Sequence, residues 1–196
     1  SGMPSVIRAG LSAGMSGFPY WTSDIGGYFG SPDKKVYIRW AQFGAFSPMM
    51  QVHGMGEHDP WNFDAETLHI YRGYAELHTR LVPYIYNNAV YASETGCPIM
   101  RALVLEYQDD PQVYALETAA YQYMFGESLL VAPVFFGGNI REVYLPEGKW
   151  IDWWTGEEHL GPKIINYHVA SNVIPVFIKK GSIIPMLPSG VETLLP

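Results

Sequence analysis

The chain of 196 residues has a single cysteine, Cys97, so an internal disulfide is excluded and there is no thiolate cluster to bind zinc. Basic residues are scarce: 12 Lys and Arg face 19 Asp and Glu, for a net charge of -7. The only adjacent basic pairs are Lys34-Lys35 and Lys179-Lys180, too little for a basic stripe, so nucleic acid is not an expected partner. No apolar run approaches the roughly 18 residues of a membrane span, and the N-terminus has no charged segment followed by an apolar one. A soluble protein without a membrane partner is expected, cytoplasmic in preference to secreted. A Ser-centred nucleophile elbow and a Gly-Lys-Ser/Thr phosphate loop are both missing. Gly54-x-Gly56 lacks the third glycine of a dinucleotide loop and opens no βαβ unit. There is no internal repeat and no low-complexity tract.

Apolar residues, by contrast, make up 48% of the chain, enough for one sizeable core or two small ones. Aromatic residues reach 15%, with 6 Trp, 14 Tyr and 9 Phe. Such a surplus of flat rings suits either an aromatic-rich β core or face-on binding of sugars. Helical sequence follows Ser1-Gly2-Met3-Pro4 at once, which suggests that the chain begins inside a larger protein.

Up to about residue 98 helical and extended patterns alternate, as in repeated β/α units. Helices are expected over 5–13, with Gly10 and Gly14 on a close-packing face, and over 34–46. A third is expected from an N-cap at Asp64 to Glu94, stopping at Gly96, kinked at Pro83 and turning Leu68, Tyr71, Ala75, Leu81 and Ile85 inward. Strands are expected over 18–23 and 48–53, each followed by a glycine-rich loop, 24–30 and 54–63. Beyond residue 98 short apolar runs over 99–107, 128–135, 142–145, 150–154, 164–169, 173–178 and 182–185 read as a β-sandwich. Pro146-Glu147-Gly148-Lys149 reads as a tight turn between two of these strands, and 108–124 as including one helix.

Asp24 is the most informative acid. It follows Gly17-Phe18-Pro19-Tyr20-Trp21 and precedes Ile25-Gly26-Gly27, which leaves a carboxylate at a strand end among apolar groups, where it needs a partner. Either the glycine loop donates backbone N–H groups to it, or it faces a ligand. In a β/α barrel functional groups sit at the C-terminal ends of strands, and both Asp24 and His53 fall at such ends. His53, His58 and Asp59 could suggest a metal, but their spacing fits neither a helical pair nor a usual zinc pattern, and no metal or other cofactor is expected.

Together, Ser23-Asp24-Ile25-Gly26-Gly27-Tyr28, the run Arg39-Trp40-Ala41-Gln42-Phe43-Gly44-Ala45-Phe46-Ser47-Pro48, and His53 resemble the second signature region of glycoside hydrolase family 31. Pro60-Trp61, Leu81-Val82-Pro83-Tyr84-Ile85-Tyr86, Pro98-Ile99-Met100-Arg101-Ala102, Asp109-Asp110-Pro111, Val131-Ala132-Pro133-Val134 and Tyr144-Leu145-Pro146-Glu147-Gly148-Lys149-Trp150 extend the resemblance over nearly the whole chain.

The resemblance implies that residues 1–98 are the C-terminal part of a (β/α)8 TIM barrel and that residues 99–196 are an antiparallel β-sandwich. It implies a retaining α-glycosidase whose nucleophile and acid/base Asp both lie upstream, because this sequence has neither of their motifs. It also implies that His53 hydrogen-bonds the sugar in the -1 subsite, that Asp24 lines the same pocket, and that Tyr28 stands beside the leaving group. Trp21 either faces the cleft or turns into the barrel wall, Trp61 either meets a neighbouring subsite or packs, and Arg39 and Trp40 are expected to be structural. Gln51-Val52 stands where many members have Arg followed by Asn or Asp, and Tyr28 where many have Phe, so the sugar stays open among glucosides, xylosides and substituted sugars. Expected partners are a carbohydrate substrate and the remainder of the same polypeptide; homo-oligomerisation is left open. A non-catalytic carbohydrate-binding or regulatory homologue is the competing expectation.

Overall fold

Helix α1, Met3–Met15, begins with proline in its first turn, where a missing N–H costs nothing, and buries Ile7, Gly10, Leu11 and Gly14. In the computed structural model, residues 2–191, 193 and 194 are described; Ser1, at the abrupt start noted above, lies outside the described residues. The Asp33 carboxylate caps α2, Lys34–Ala45, by accepting from the Val36 N–H at 3.0 Å. Asp64 caps α3, Ala65–Arg80, accepting from the Thr67 N–H at 2.9 Å.

The single long helix expected from 64 to 94 is two helices. Proline lacks the N–H that would continue the ladder, and its ring collides with the carbonyl four residues back. The chain breaks at Leu81, and Pro83 sits instead in the first turn of α4, Val82–Thr95, which Gly96 closes with φ of 76°. The buried face of α3 is Thr67, Ile70 and Tyr74, one position out of phase with the expected one, so Leu68 is exposed.

Neither of the strands expected over 18–23 and 48–53 forms as a strand. From Asp24 and Gln51 onward the two chain segments run parallel and pair as isolated bridges, Asp24 with Gln51 and Phe29 with Met55. A 3-10 turn, Pro60–Asn62, interrupts the second loop.

After α4 the chain forms β1 (Met100–Ala102), two four-residue helices α5 (Leu103–Glu106) and α6 (Gln112–Ala115), then β2 (Tyr123–Phe125), β3 (Leu129–Val131), β4 (Ile140–Asp152), β5 (Glu158–His168) and β6 (Val176–Lys179). The segment 99–107 expected as a strand holds β1 and then α5, and 108–124 includes an α-helix as expected, α6, followed by a 3-10 turn and the start of β2. No strand forms over 182–185. The sheet is antiparallel throughout, in the order β1-β2-β3-β6-β4-β5.

The tight turn expected at Pro146-Glu147-Gly148-Lys149 is not a turn. β4 runs straight through it, and the register against β5 slips between Leu145 and Gly148 as a bulge. A bulge absorbs the residues that cannot keep the ladder and bends the strand.

Alternation along β2, β3 and β6 divides two cores. Tyr123, Phe125, Leu129, Val131 and Val176 face the helices, whereas Met124, Leu130 and Phe177 face Val143, Tyr144, Leu145 and Trp150 of β4. Both faces of the sheet are therefore covered, one by helices and the other by the bent β4–β5 hairpin. The first core crosses residue 98 without interruption: the Tyr123 hydroxyl donates to the Phe46 carbonyl at 2.7 Å, and Arg39 reaches the Val173 carbonyl at 2.7 Å. This contact fixes α2, and with it the loops at either end of α2, against the β half.

Candidate functional site

Two loops, 18–30 between α1 and α2 and 48–63 between α2 and α3, lie side by side because they are stitched along their backbones. The Ile25 N–H donates to the Gln51 carbonyl at 3.1 Å, the Met55 N–H to the Tyr28 carbonyl at 2.6 Å, and the Gly30 N–H to the Met55 carbonyl at 3.2 Å. The Thr22 hydroxyl adds a bond to the Met49 carbonyl at 2.6 Å. Gly26 and Gly27, at φ of 88° and 89°, turn the first loop through a conformation that other L-residues rarely adopt.

This stitching brings the sequence candidates into two pairs. The Gln51 side-chain amide donates to Asp24 Oδ1 at 2.6 Å, and the rings of Tyr28 and His53 lie 5.4 Å apart at 53°. Of the two readings of Asp24, a carboxylate bound by the glycine loop does not hold: the hydrogen bond comes from a side chain on the opposite loop. Tyr28 and His53 are exposed, and among the described residues no hydrogen bond engages the His53 ring. An imidazole so placed offers one donor and one acceptor to a ligand.

Trp21 is set apart from these four. It is half-buried, packs on Phe43 with centroids 6.4 Å apart, and lies over Gly10 of α1, so its indole forms part of the wall between the two helices. Trp40 and Arg39 hold the scaffold, as expected. The Trp40 indole N–H donates to Ser23 Oγ at 3.0 Å, next to Asp24, and Arg39 ties α2 to the segment before β6.

Three features of the site stand outside the expectations drawn from the sequence. Gln51 was marked only as a departure, although its spacing of two residues from His53 puts both side chains on one side of an extended segment. Phe29, 78% exposed and edge-on to Tyr28 at 4.8 Å, and its bridge partner Met55, 63% exposed, extend the apolar surface outward; Trp61 is exposed at 67%. Third, His58, which the sequence offers only within a poorly spaced metal pattern, is buried between the loops. Residues 18–30 and 49–63 carry Asp24, Glu57 and Asp59 and no Lys or Arg, so this rim is anionic and hydroxyl-accepting. Among the described residues no three His, Cys, Asp or Glu side chains come together as a metal site.

An aromatic rim around a carboxylate and an imidazole, on loops between barrel-type helices, suits a neutral polyhydroxylated ligand. Residues 1–88 match the glycosyl hydrolases family 31 TIM-barrel domain, and residues 96–184 the glycosyl hydrolase family 31 C-terminal domain. The chain belongs to glycoside hydrolase family 31. Its helical half is the C-terminal portion of the family's (β/α)8 barrel, and its antiparallel half is the domain that follows.

Among relatives, an isomaltosyltransferase of Sporosarcina globispora is 42% identical over 92% of this chain, and an alpha-xylosidase of Saccharolobus solfataricus is 40% identical over 95%. The solved glycoside hydrolase family 31 dextranase of Flavobacterium johnsoniae, complexed with glucose, superposes on 95% of the chain with a TM-score of 0.88 and 44% identity. The chain spans 18% of the isomaltosyltransferase, 26% of the alpha-xylosidase and 24% of the dextranase chain.

Proposed function

We propose that this chain forms part of a retaining α-glycosidase that hydrolyses terminal α-linked glucosides or xylosides, and that it supplies sugar contacts without supplying either catalytic carboxylate. The single observation behind this reading is the paired arrangement of the two loops, Asp24 held by Gln51 and Tyr28 set against His53. In this reading residues 1–98 are the barrel part and 99–196 the β domain, the partners being the carbohydrate and the remainder of the same polypeptide.

Retention requires two carboxyl groups about 5–5.5 Å apart, one attacking the anomeric carbon and the other protonating the leaving oxygen and then activating water. Asp24 is not assigned to either role, because the resemblance makes it a lining residue of the sugar pocket and this sequence has neither of the motifs that carry the two catalytic Asp. It acts instead as an acceptor of sugar hydroxyls through its second oxygen, while His53 donates to or accepts from a neighbouring hydroxyl. The Tyr28 ring presents an apolar face to the C–H side of the sugar. These contacts favour hydrolysis to the extent that they strengthen as the sugar ring flattens towards an oxocarbenium-like transition state. Trp21 contributes through the wall that carries the first loop.

The test is turnover of paired aryl α-glucoside and α-xyloside substrates by the longer polypeptide that contains this chain, with product stereochemistry read by NMR. Release with retention is the expected result, with no turnover by the isolated 196-residue chain. A longer polypeptide that binds sugar without cleaving either substrate returns the non-catalytic binding homologue as the better reading.

A further inference from the structure

His58 is only 4% exposed, yet neither of its ring nitrogens has a hydrogen-bond partner. Buried polar atoms are normally paired, and a buried imidazole with both nitrogens unpaired forfeits a donor and an acceptor that a leucine or methionine would not carry. Its surroundings show what the ring does there. An ideal Cβ on Gly26 would lie 3.3 Å from His58 Nδ1, one on Gly54 would lie 2.9 Å from Nε2, and one on Gly56 would lie 3.3 Å from Nε2.

The imidazole thus fills a slot bounded by backbone of both site loops, at three positions that lack side chains. The same glycines let the loops close further. A Cβ on Gly54 would come within 2.7 Å of the Tyr28 carbonyl oxygen, and one on Gly56 within 2.3 Å of the Gly30 carbonyl oxygen. A side chain that fills this slot holds the two backbones apart at a set distance, and one much smaller would let them shift.

We propose that His58 is a positioning residue of the sugar site: its ring is a spacer that sets the separation of loops 24–30 and 53–58 and thereby the 5.4 Å placement of Tyr28 against His53. The ring touches no substrate. Its consequence for turnover rests on the reading of Tyr28 and His53 as sugar contacts, whereas its consequence for geometry does not.

The test uses the longer polypeptide with His58→Ala and His58→Phe, each assayed well below its own melting temperature. His58→Ala is expected to lower kcat/KM for the aryl α-glycoside at least tenfold, and to displace the Tyr28 and His53 rings from each other by more than about 1 Å in a crystal structure. His58→Phe, which restores a flat ring without nitrogens, is expected to recover kcat/KM to within about threefold of the parent. A folded His58→Ala protein with kcat/KM within twofold of the parent overturns the proposal, because a side chain that only stabilises the fold lowers the melting temperature and leaves kinetics in the folded state unchanged. Where His58→Ala fails to fold, His58→Phe decides: loss of activity despite a parental melting temperature counts against a spacer. Should the parent itself cleave no α-glycoside, the functional reading fails alone, and the crystal structure of His58→Ala still supports or overturns the spacer according to whether the two rings move.

Discussion

Gln51 Nε2 donates to Asp24 Oδ1 at 2.6 Å across the gap between two loops, so the carboxylate is oriented by a neutral amide. A hydrogen bond to a charged group contributes about 1.5–3 kcal/mol, roughly a ten- to hundredfold effect on any step that needs the aligned carboxylate. Gln51→Met, which keeps length and removes the donor, is expected to lower kcat/KM of the longer polypeptide by that factor. Steady-state kinetics on an aryl α-glycoside checks this, and an unchanged rate would release Asp24 from the sugar site.

The contact between Gly10 and Trp21 makes a separate prediction. A Cβ at Gly10 would lie 2.6 Å from two ring carbons of Trp21, and the ring cannot give way cheaply because Phe43 backs it. Gly10→Ala is therefore expected to destabilise the protein by about 1–3 kcal/mol, as overpacked cores do. Pairing it with Trp21→Leu is expected to recover part of the loss. Urea unfolding measures both, and a neutral Gly10→Ala would show that the indole is free to leave the wall.

His78 gives a pH dependence with a definite sign. Its Nδ1–H donates to the Ala45 carbonyl at 3.0 Å, and burial, the larger influence, holds its pKa below the ordinary value of 6.5. The unfolded chain then binds a proton that the folded one refuses, so the contribution of neutral His78 is complete above the unfolded pKa and is lost as pH falls below it. The melting temperature should drop between about pH 7 and pH 5, and less steeply in His78→Gln, which keeps a donor but does not titrate. Parallel curves for the two proteins would exclude His78 as the source.

Much of the site was legible because its signals are local. Asp24 announced itself as an acid just ahead of a glycine loop, and Asp64 caps its helix through a contact three residues away. His53 stood at the end of an apolar run. His58 was not legible: two histidines near glycines read equally well as a weak metal pattern, and only burial without a partner separates a spacer from a ligand. The role of Trp21 was undecidable from alternation, because the answer lay in Gly10, eleven residues earlier and on a different element.

The sequence by itself determined α1, α2, the Asp64 cap of α3, the left-handed stop at Gly96 and the glycine loops, since each follows from backbone sterics or from hydrogen bonds within a turn or two, whereas the kink it suggested at Pro83 is a full break between two helices. Tertiary structure alone decided where extended backbone counts as a strand. No residue of 18–23 is bridged and within 48–53 Gln51 alone is, to Asp24, whereas β4 continues through Pro146 and Gly148 because β5 pairs with it on both sides of the bulge. A helix satisfies its own backbone, but an extended segment depends on a neighbour, and which neighbour arrives is set by the packing of the whole chain.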